Sequence, residues 1–219
     1  MTLLLLILLP LGTQSTAGSA AALAAVLFLT MLVSAGMEHS AVILLAVGFL
    51  MSPLNDVRPI ASLTFMTASD VFLVLGIGLL IPGLVGRKFR PPTAFVVGAL
   101  GVVAMGLVSS AVNPNAAMSL NSMLRLVVGA LTLPVVFMLW RPRREIVVIL
   151  AAAYVGGNVV NVVAARINGQ ASDENRYIGL STHPNILGFC AMLGLALIPF
   201  LLQELPRRFS WIVLLAGAI

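Results

Sequence analysis

The residues with the clearest chemical potential lie between 166 and 188, where a polar stretch leads into an apolar run. Pro184 suits the first position of a helix, and Thr182 or His183 is expected to be its N-cap. The N–H groups and positive dipole end of such a helix attract anions. Arg176 lies just upstream, and its planar fork of donors suits a phosphate group. The spacing predicts an anion site, and the alternative is a proline-led helix beside a solvated loop.

Arg125 stands inside an apolar run, where a charged side chain costs about 2.5–3.5 kcal/mol on insertion scales. It is expected either to face the interior of a helix bundle as an anion site or to extend to the outer headgroups. Asn158 and Asn161 are three residues apart and therefore share one helix face. Their carboxamides are expected to bond a neighbouring helix, with the lining of a polar cavity as the alternative.

Thr67 and Asp70 have the spacing of a capping box at a helix start. The Thr67 hydroxyl is expected to accept from the Asp70 N–H, while the Asp70 carboxylate faces the first turn. This pattern predicts that a helix begins at this point.

The composition indicates which kind of chain positions these groups. Of 219 residues, 60% are hydrophobic and 9% are charged, with a mean hydropathy of +1.12. Soluble domains carry about 25% charged residues. The composition excludes a soluble globule and a disordered chain, and one cysteine excludes a disulfide scaffold. It predicts an all-α polytopic transmembrane bundle, a single membrane domain over residues 1–219, with an outer loop at 166–183.

About nine hydrophobic segments are expected, and the two terminal ones are incomplete, because a span needs roughly 17–25 residues. We therefore expect the chain to be clipped or to continue elsewhere. The segments are 2–11, 18–37, 40–51, 67–86, 93–112, 120–140, 145–165, 184–203 and 210–219.

Lys and Arg residues in short loops predict orientation. If the segments alternate from a cytoplasmic N-terminus, every strongly basic loop falls on one side, which is therefore the cytoplasmic side. That side receives Arg87, Lys88, Arg90, Arg141, Arg143, Arg144, Arg207 and Arg208. The outer side receives Arg58, Arg166 and Arg176.

Other chemistry has no signal in the sequence. There is no phosphate-binding P-loop, no His or Cys pair at metal spacing and no nucleophile elbow. His39 is expected in a short cytoplasmic turn, on the opposite face from His183. The net charge of +5 does not indicate nucleic acid, because no basic helix or aromatic platform accompanies it. We expect no metal and no cofactor.

The segment from Arg176 through Gly179, His183, Pro184 and Asn185 to Gly188 resembles a signature of the O-antigen ligase and O-antigen polymerase superfamily of bacterial membrane glycosyltransferases. Members typically show an Arg, then a Gly, then His-Pro-Asn or Asn-Pro-Asn, and a Gly that opens the next span. The Ser69-Asp70 pair is similar to another common feature of that family.

The resemblance implies transfer of a glycan from a polyprenyl-diphosphate carrier to an acceptor sugar at the outer face of the bacterial inner membrane, without a metal. Arg176 would act on the diphosphate, with Arg125 and Asn185 as further binding residues. Charge stabilisation on the leaving group is often the largest catalytic effect.

A general base should accept the acceptor proton, and His183 is the only outer-face histidine. Asp173 or Glu174 is the alternative base. Many family members have Asn where His183 stands, and their essential histidine lies in a later outer loop.

Two other functions remain open on the sequence. One is a membrane transporter or flippase for a lipid-linked or anionic substrate, although no internal repeat is evident. The other is a non-catalytic membrane scaffold, in which Arg125 and Arg176 only extend to the headgroups.

Overall fold

The structure is a computed structural model, and it describes residues 16–58, 67–168, 178–181 and 183–218. These residues form helices and connecting turns, with no strand among them. Two compact units emerge from the packing. Unit 1 combines Met1–Leu80 with Glu145–Ile219, and unit 2 is Ile81–Arg144. The prediction of one membrane domain stays a prediction, because a membrane domain can contain more than one packed unit.

Seven helices are present in the described part of the chain. They are α1 (Thr16–Met51), α2 (Ala68–Leu84), α3 (Thr93–Val112), α4 (Ala116–Trp140), α5 (Arg144–Asn168), α6 (Pro184–Glu204) and α7 (Arg207–Ala218). Four stretches are long and apolar enough to cross a membrane. They are Val26–Met51, Thr93–Val112, Arg144–Ile167 and Pro184–Glu204. The structure therefore agrees with an all-α chain that has membrane-spanning helices.

The expected count of eight or nine segments is not supported. The run 2–11 lies outside the described residues, and the runs 18–37 and 40–51 belong to one element, α1. Helix α2 has 17 residues and α7 has 12, so neither reaches the length of the four long stretches. A count of apolar runs overestimates the number of spans, because several of these runs lack the length that a span needs.

Helix α1 bends sharply at Gly36, whose φ of 76° and ψ of 167° are not helical. The Ser40 hydroxyl donates to the Met31 carbonyl at 3.2 Å, whereas a straight helix would separate residues nine apart by about 13 Å. The second arm of α1 therefore runs in a new direction. His39 lies in the helical part just after this bend, not in the turn that the sequence suggested.

The second arm of α1 packs closely against α2 through two glycines. A Cβ on Gly48 would come within 2.8 Å of the Leu73 side chain, and one on Gly76 within 2.8 Å of Leu45. The Ser69 hydroxyl donates to the Gly48 carbonyl at 3.0 Å. Small residues allow this backbone approach between membrane helices.

Helices α5, α6 and α7 bury an apolar cluster in unit 1. Its buried members are Ala151, Val155, Leu201 and Val213. An apolar cavity of about 460 Å³ lies beside the cluster. This packing fixes α5, which carries Asn158 and Asn161, and α6, which begins just after the candidate site.

Unit 2 contains the packed pair α3 and α4. A Cβ on Gly106 would come within 2.7 Å of the Met123 side chain, and the Ser119 hydroxyl donates to the Ser110 hydroxyl at 3.3 Å. Helix α4 ends where Arg141 adopts the left-handed conformation at φ 53°, with its N–H bonded to the Phe137 carbonyl. The pair is thus held by close packing at one point and by a hydroxyl bond at another.

Candidate functional site

Asn161 on α5 is the centre of a buried polar arrangement and is 0% exposed. Its Nδ2 donates to the Pro53 carbonyl and to the Ser181 hydroxyl, both at 2.7 Å. Its Oδ1 accepts from the Leu180 N–H at 2.7 Å. Both amide hydrogens and the amide oxygen are therefore bonded, and every bonding partner lies outside α5.

Two further bonds connect the segments that meet at Asn161. The Ser181 hydroxyl donates to the Pro53 carbonyl at 3.1 Å, and the Asp56 N–H donates to the Leu180 carbonyl at 3.0 Å. We call these five residues, Pro53, Asp56, Asn161, Leu180 and Ser181, the polar junction. Asn161 was expected to bond a neighbouring helix, and its partners are instead the non-helical segments that follow α1 and precede α6.

Gly179 allows the chain to pass this close to α5. Its φ is +66°, and a Cβ there would lie 2.5 Å from the Asn161 Oδ1 and 2.8 Å from the Asn161 carbonyl oxygen. Only glycine meets both the conformation and the space. A second close approach occurs at Gly157, where a Cβ would collide with the Leu50 carbonyl oxygen.

The start of α2 joins the same end of unit 1. The Asp70 N–H donates to the Thr67 hydroxyl oxygen at 3.2 Å, and the Thr67 N–H donates to the Asp70 carboxylate at 2.9 Å. This reciprocal pair confirms the capping box that the spacing predicted. The Ala68 N–H then donates to the Val57 carbonyl at 2.9 Å, next to the polar junction.

The start of α6 has one of the two N-caps that the sequence predicted. The helix begins at Pro184, and His183 is its N-cap, with Nδ1 accepting from the Asn185 N–H at 3.2 Å. The Ile186 and Leu187 N–H groups both donate to the His183 carbonyl. The N–H groups of this first turn are therefore bonded within the helix start, and the expectation that they are free to bind an anion is wrong.

The cap bond also decides which nitrogen of His183 carries a proton. Because Nδ1 accepts a hydrogen bond, the neutral ring has its hydrogen on Nε2. The side chain is exposed, so Nε2–H can donate to a bound group. A general base needs an open lone pair, so the predicted base role would require the cap bond to open.

Asn158 differs from Asn161. It is 6% exposed, its Nδ2 donates to the Tyr154 carbonyl of its own helix at 3.0 Å, and its Oδ1 has no bonding partner among the described residues. It lines a cavity of about 240 Å³ between α5, α6 and the end of α7. The cavity-lining alternative from the sequence thus applies to Asn158.

The other predicted site residues are placed only in part. Arg125 lies in α4 of unit 2, and its side chain is outside the described part of the structure. Arg176, Asp173, Glu174 and Thr182 also fall outside the described residues. Asn185 is exposed in the first turn of α6, and it makes an interaction besides the bond from its N–H to His183. In the ranges that are described, no three His, Cys, Asp or Glu side chains could hold a metal ion.

Two members of the polar junction, Pro53 and Ser181, were not predicted from the sequence. Pro53 follows the apolar run 40–51 without any polar side chain to indicate a role, although its carbonyl accepts from both Asn161 and Ser181. Ser181 lies within the segment that carries the family resemblance, so a polar residue beside Gly179 was the available signal.

Comparison with known protein families, with curated proteins and with solved structures finds no match for this chain.

Proposed function

We propose that this protein is a membrane glycosyltransferase of the O-antigen ligase or polymerase type. It would transfer a glycan from a polyprenyl diphosphate to an acceptor sugar at the outer face of the bacterial inner membrane. The observation that most favours this proposal is that the segment resembling the family signature is held in place by its neighbours. Leu180 and Ser181 are hydrogen-bonded to Asn161, Gly179 lies close against it, and His183 caps the helix α6 that begins at Pro184. A rigid support of this kind suits residues that must position a substrate.

The transfer exchanges one bond at the anomeric carbon of the donor sugar. The acceptor hydroxyl oxygen bonds that carbon as the bond from carbon to phosphate oxygen breaks. The electron pair of the broken bond stays on the polyprenyl diphosphate, and the acceptor proton passes to a base. Arg176 would stabilise the charge that develops on the leaving diphosphate. Arg125 stays a separate prediction for diphosphate binding.

His183 and Asn185 would act at the start of α6. With Nδ1 held by the Asn185 N–H, the exposed Nε2–H of His183 is suited to donate to a phosphate or sugar oxygen. As the base, His183 would first have to release that bond, so Asp173 and Glu174 are the competing candidates. The Asn185 side chain would contribute to binding of the diphosphate.

Substitution of Arg176 tests the proposal directly. In membranes that contain the protein as the cell makes it, Arg176→Ala should abolish covalent transfer from a polyprenyl-diphosphate-linked glycan, and Arg176→Lys should retain only a fraction. Arg166→Ala is the matched control, because Arg166 is an exposed arginine at the end of α5 near the same loop. Equal amounts of membrane-inserted protein must be confirmed. Unchanged transfer by Arg176→Ala would contradict the proposal.

The orientation can be tested separately, because the native Cys190 is buried. Asp56→Cys lies at the polar junction, and Arg207→Cys lies beyond the other end of α6. A membrane-impermeant maleimide added outside the cell should label the first variant and not the second. The reverse pattern would place the junction in the cytoplasm and contradict an outer-face transferase.

A transporter or flippase is the second candidate, because α1 is broken at Gly36 within an apolar stretch. Discontinuous helices are typical of substrate sites in transporters. Purified protein in liposomes distinguishes the two functions. Movement of a lipid-linked glycan between leaflets with no covalent product would favour the flippase.

A further inference from the structure

A basic pocket lies in unit 2, near the end of α4. Its lining is Arg87, Lys88, Arg90, Arg141 and Leu139, around a cavity of about 370 Å³. A cavity of that size is large enough for a small polar group or a lipid headgroup. Four of the five lining residues are cationic, which gives the cavity a single sign of charge.

Two of these cations are held in place by the end of α4. Arg87 Nη1 donates to the Leu139 carbonyl at 3.1 Å and to the Trp140 carbonyl at 2.9 Å. Carbonyls of a last helical turn lack helical partners, so an arginine there satisfies them. The bonds that the structure describes use Nη1, and the guanidinium keeps donors on Nη2 and Nε. Arg141 is fixed by its own cap bond to the Phe137 carbonyl.

The charge in this region has no internal compensation. Between residues 81 and 144 the sequence has seven Lys and Arg residues and no Asp or Glu. No carboxylate within unit 2 can therefore neutralise the pocket. A cavity lined by one sign of charge concentrates its field and attracts counter-ions. An anion from outside unit 2 would complement the charge of the pocket.

The surface next to the pocket is apolar. Val85 and Phe89 alternate with the basic residues along the chain and are both exposed, as is Ile81 in the last turn of α2. A ligand that carries a phosphate and acyl chains would contact both kinds of surface. Basic pockets beside membrane helices bind anionic headgroups in this way.

We propose that this pocket binds the phosphate of an anionic membrane lipid. The Arg87 and Arg90 guanidinium groups and the Lys88 ammonium would contact the phosphate oxygens, because planar donors suit phosphate. The acyl chains would lie along Val85 and Phe89. This inference is independent of the proposed transfer activity, since it requires no reaction.

Lipid titration of the purified protein in a neutral detergent tests the site by native mass spectrometry. Phosphatidylglycerol should bind more tightly than phosphatidylcholine. Arg90→Gln should weaken phosphatidylglycerol binding by about fivefold, and Lys88→Gln with Arg90→Gln by tenfold or more. Arg143→Gln removes one charge from the same unit outside the pocket, and it should weaken binding by less than about twofold. Arg87 and Arg141 are left intact because they hold the end of α4.

Three results would overturn the assignment. Equal losses in the Arg90 and Arg143 variants would indicate diffuse attraction to basic residues and not a pocket. Both lipids carry a phosphate, so an absence of preference for phosphatidylglycerol would show that the pocket does not select an anionic headgroup. Displacement of the lipid by an equal concentration of inorganic phosphate would show that the pocket takes a soluble phosphate and not a lipid. Thermal midpoints of all variants must match that of the unaltered chain, and Arg90→Lys should restore part of the binding.

Discussion

Asn158 and Asn161 lie three residues apart on the same helix, and their surroundings are opposite. Asn161 bonds with both hydrogens and its oxygen to segments outside α5. Asn158 bonds one carbonyl of its own helix and leaves a buried oxygen without a partner in the described residues. The same residue type on the same face therefore gives one structural anchor and one polar wall of a cavity.

The difference shows that the role of a buried side-chain amide depends on its hydrogen-bonding partners. A fully satisfied network specifies one arrangement of its segments, whereas an unpaired polar atom lowers stability unless a ligand or water completes it. Because Asn161 also positions the chain just before α6, its network connects packing to the candidate site. Substitutions at the two asparagines and their neighbours can break or sharpen this comparison.

The largest effect is expected for Asn161→Leu. This change leaves the half-buried Leu180 N–H without an acceptor and removes the two bonds that Asn161 Nδ2 donates, for a loss of about 2–4 kcal/mol in unfolding free energy. The unfolding free energy can be measured by SDS titration of the purified protein in mixed micelles. A loss no greater than that of Asn158→Leu would remove the distinction between the two residues.

The next largest loss of unfolding free energy is expected for Gly179→Ala. The alanine meets an unfavourable φ and a collision with Asn161, for a loss of about 1–3 kcal/mol. Gly188→Ala is the matched control, because that position lies in α6 with open space around it. The control should stabilise the chain by about 0.5–1 kcal/mol. Equal destabilisation by both would show that Gly179 has no special role.

His183→Ala should cost about 1 kcal/mol, because it removes the side-chain acceptor of the N-cap. His183→Asn keeps a good capping residue and should retain nearly all of the stability. The same pair separates capping from chemistry. If His183 acts as the base, His183→Asn should lose glycan transfer at full stability, and retained transfer would assign the histidine to capping alone.

The smallest change is expected for Asn158→Leu. It removes the unpaired oxygen and one bond to the Tyr154 carbonyl, so the two effects nearly cancel and the change stays within about 1 kcal/mol. Thermal melts of Asn158→Leu and Asn161→Leu, measured side by side, check this expected difference in stability. A large loss would mean that a bound group completes Asn158 in solution.

The features that the sequence predicted well are local. The Thr67–Asp70 capping box and the proline-led start of α6 depend on residues within one turn, so their spacing is sufficient. The partners of Asn161 lie 108 and 20 residues away along the chain, and no periodicity identifies them. The two apolar runs 18–37 and 40–51 match the two arms of α1, but the sequence gives no sign that Gly36 is the point of the bend.

The bend at Gly36 has a consequence for the lipid around the protein. The second arm of α1, from residue 37 to 51, rises only about 22 Å, and the 17 residues of its neighbour α2 rise about 26 Å. Both are shorter than a hydrocarbon core of about 30 Å. If they cross, the two leaflets must draw closer beside them. Such local thinning would favour short-chain lipids at this edge and would bring headgroups of opposite leaflets nearer to one another than in the unperturbed bilayer.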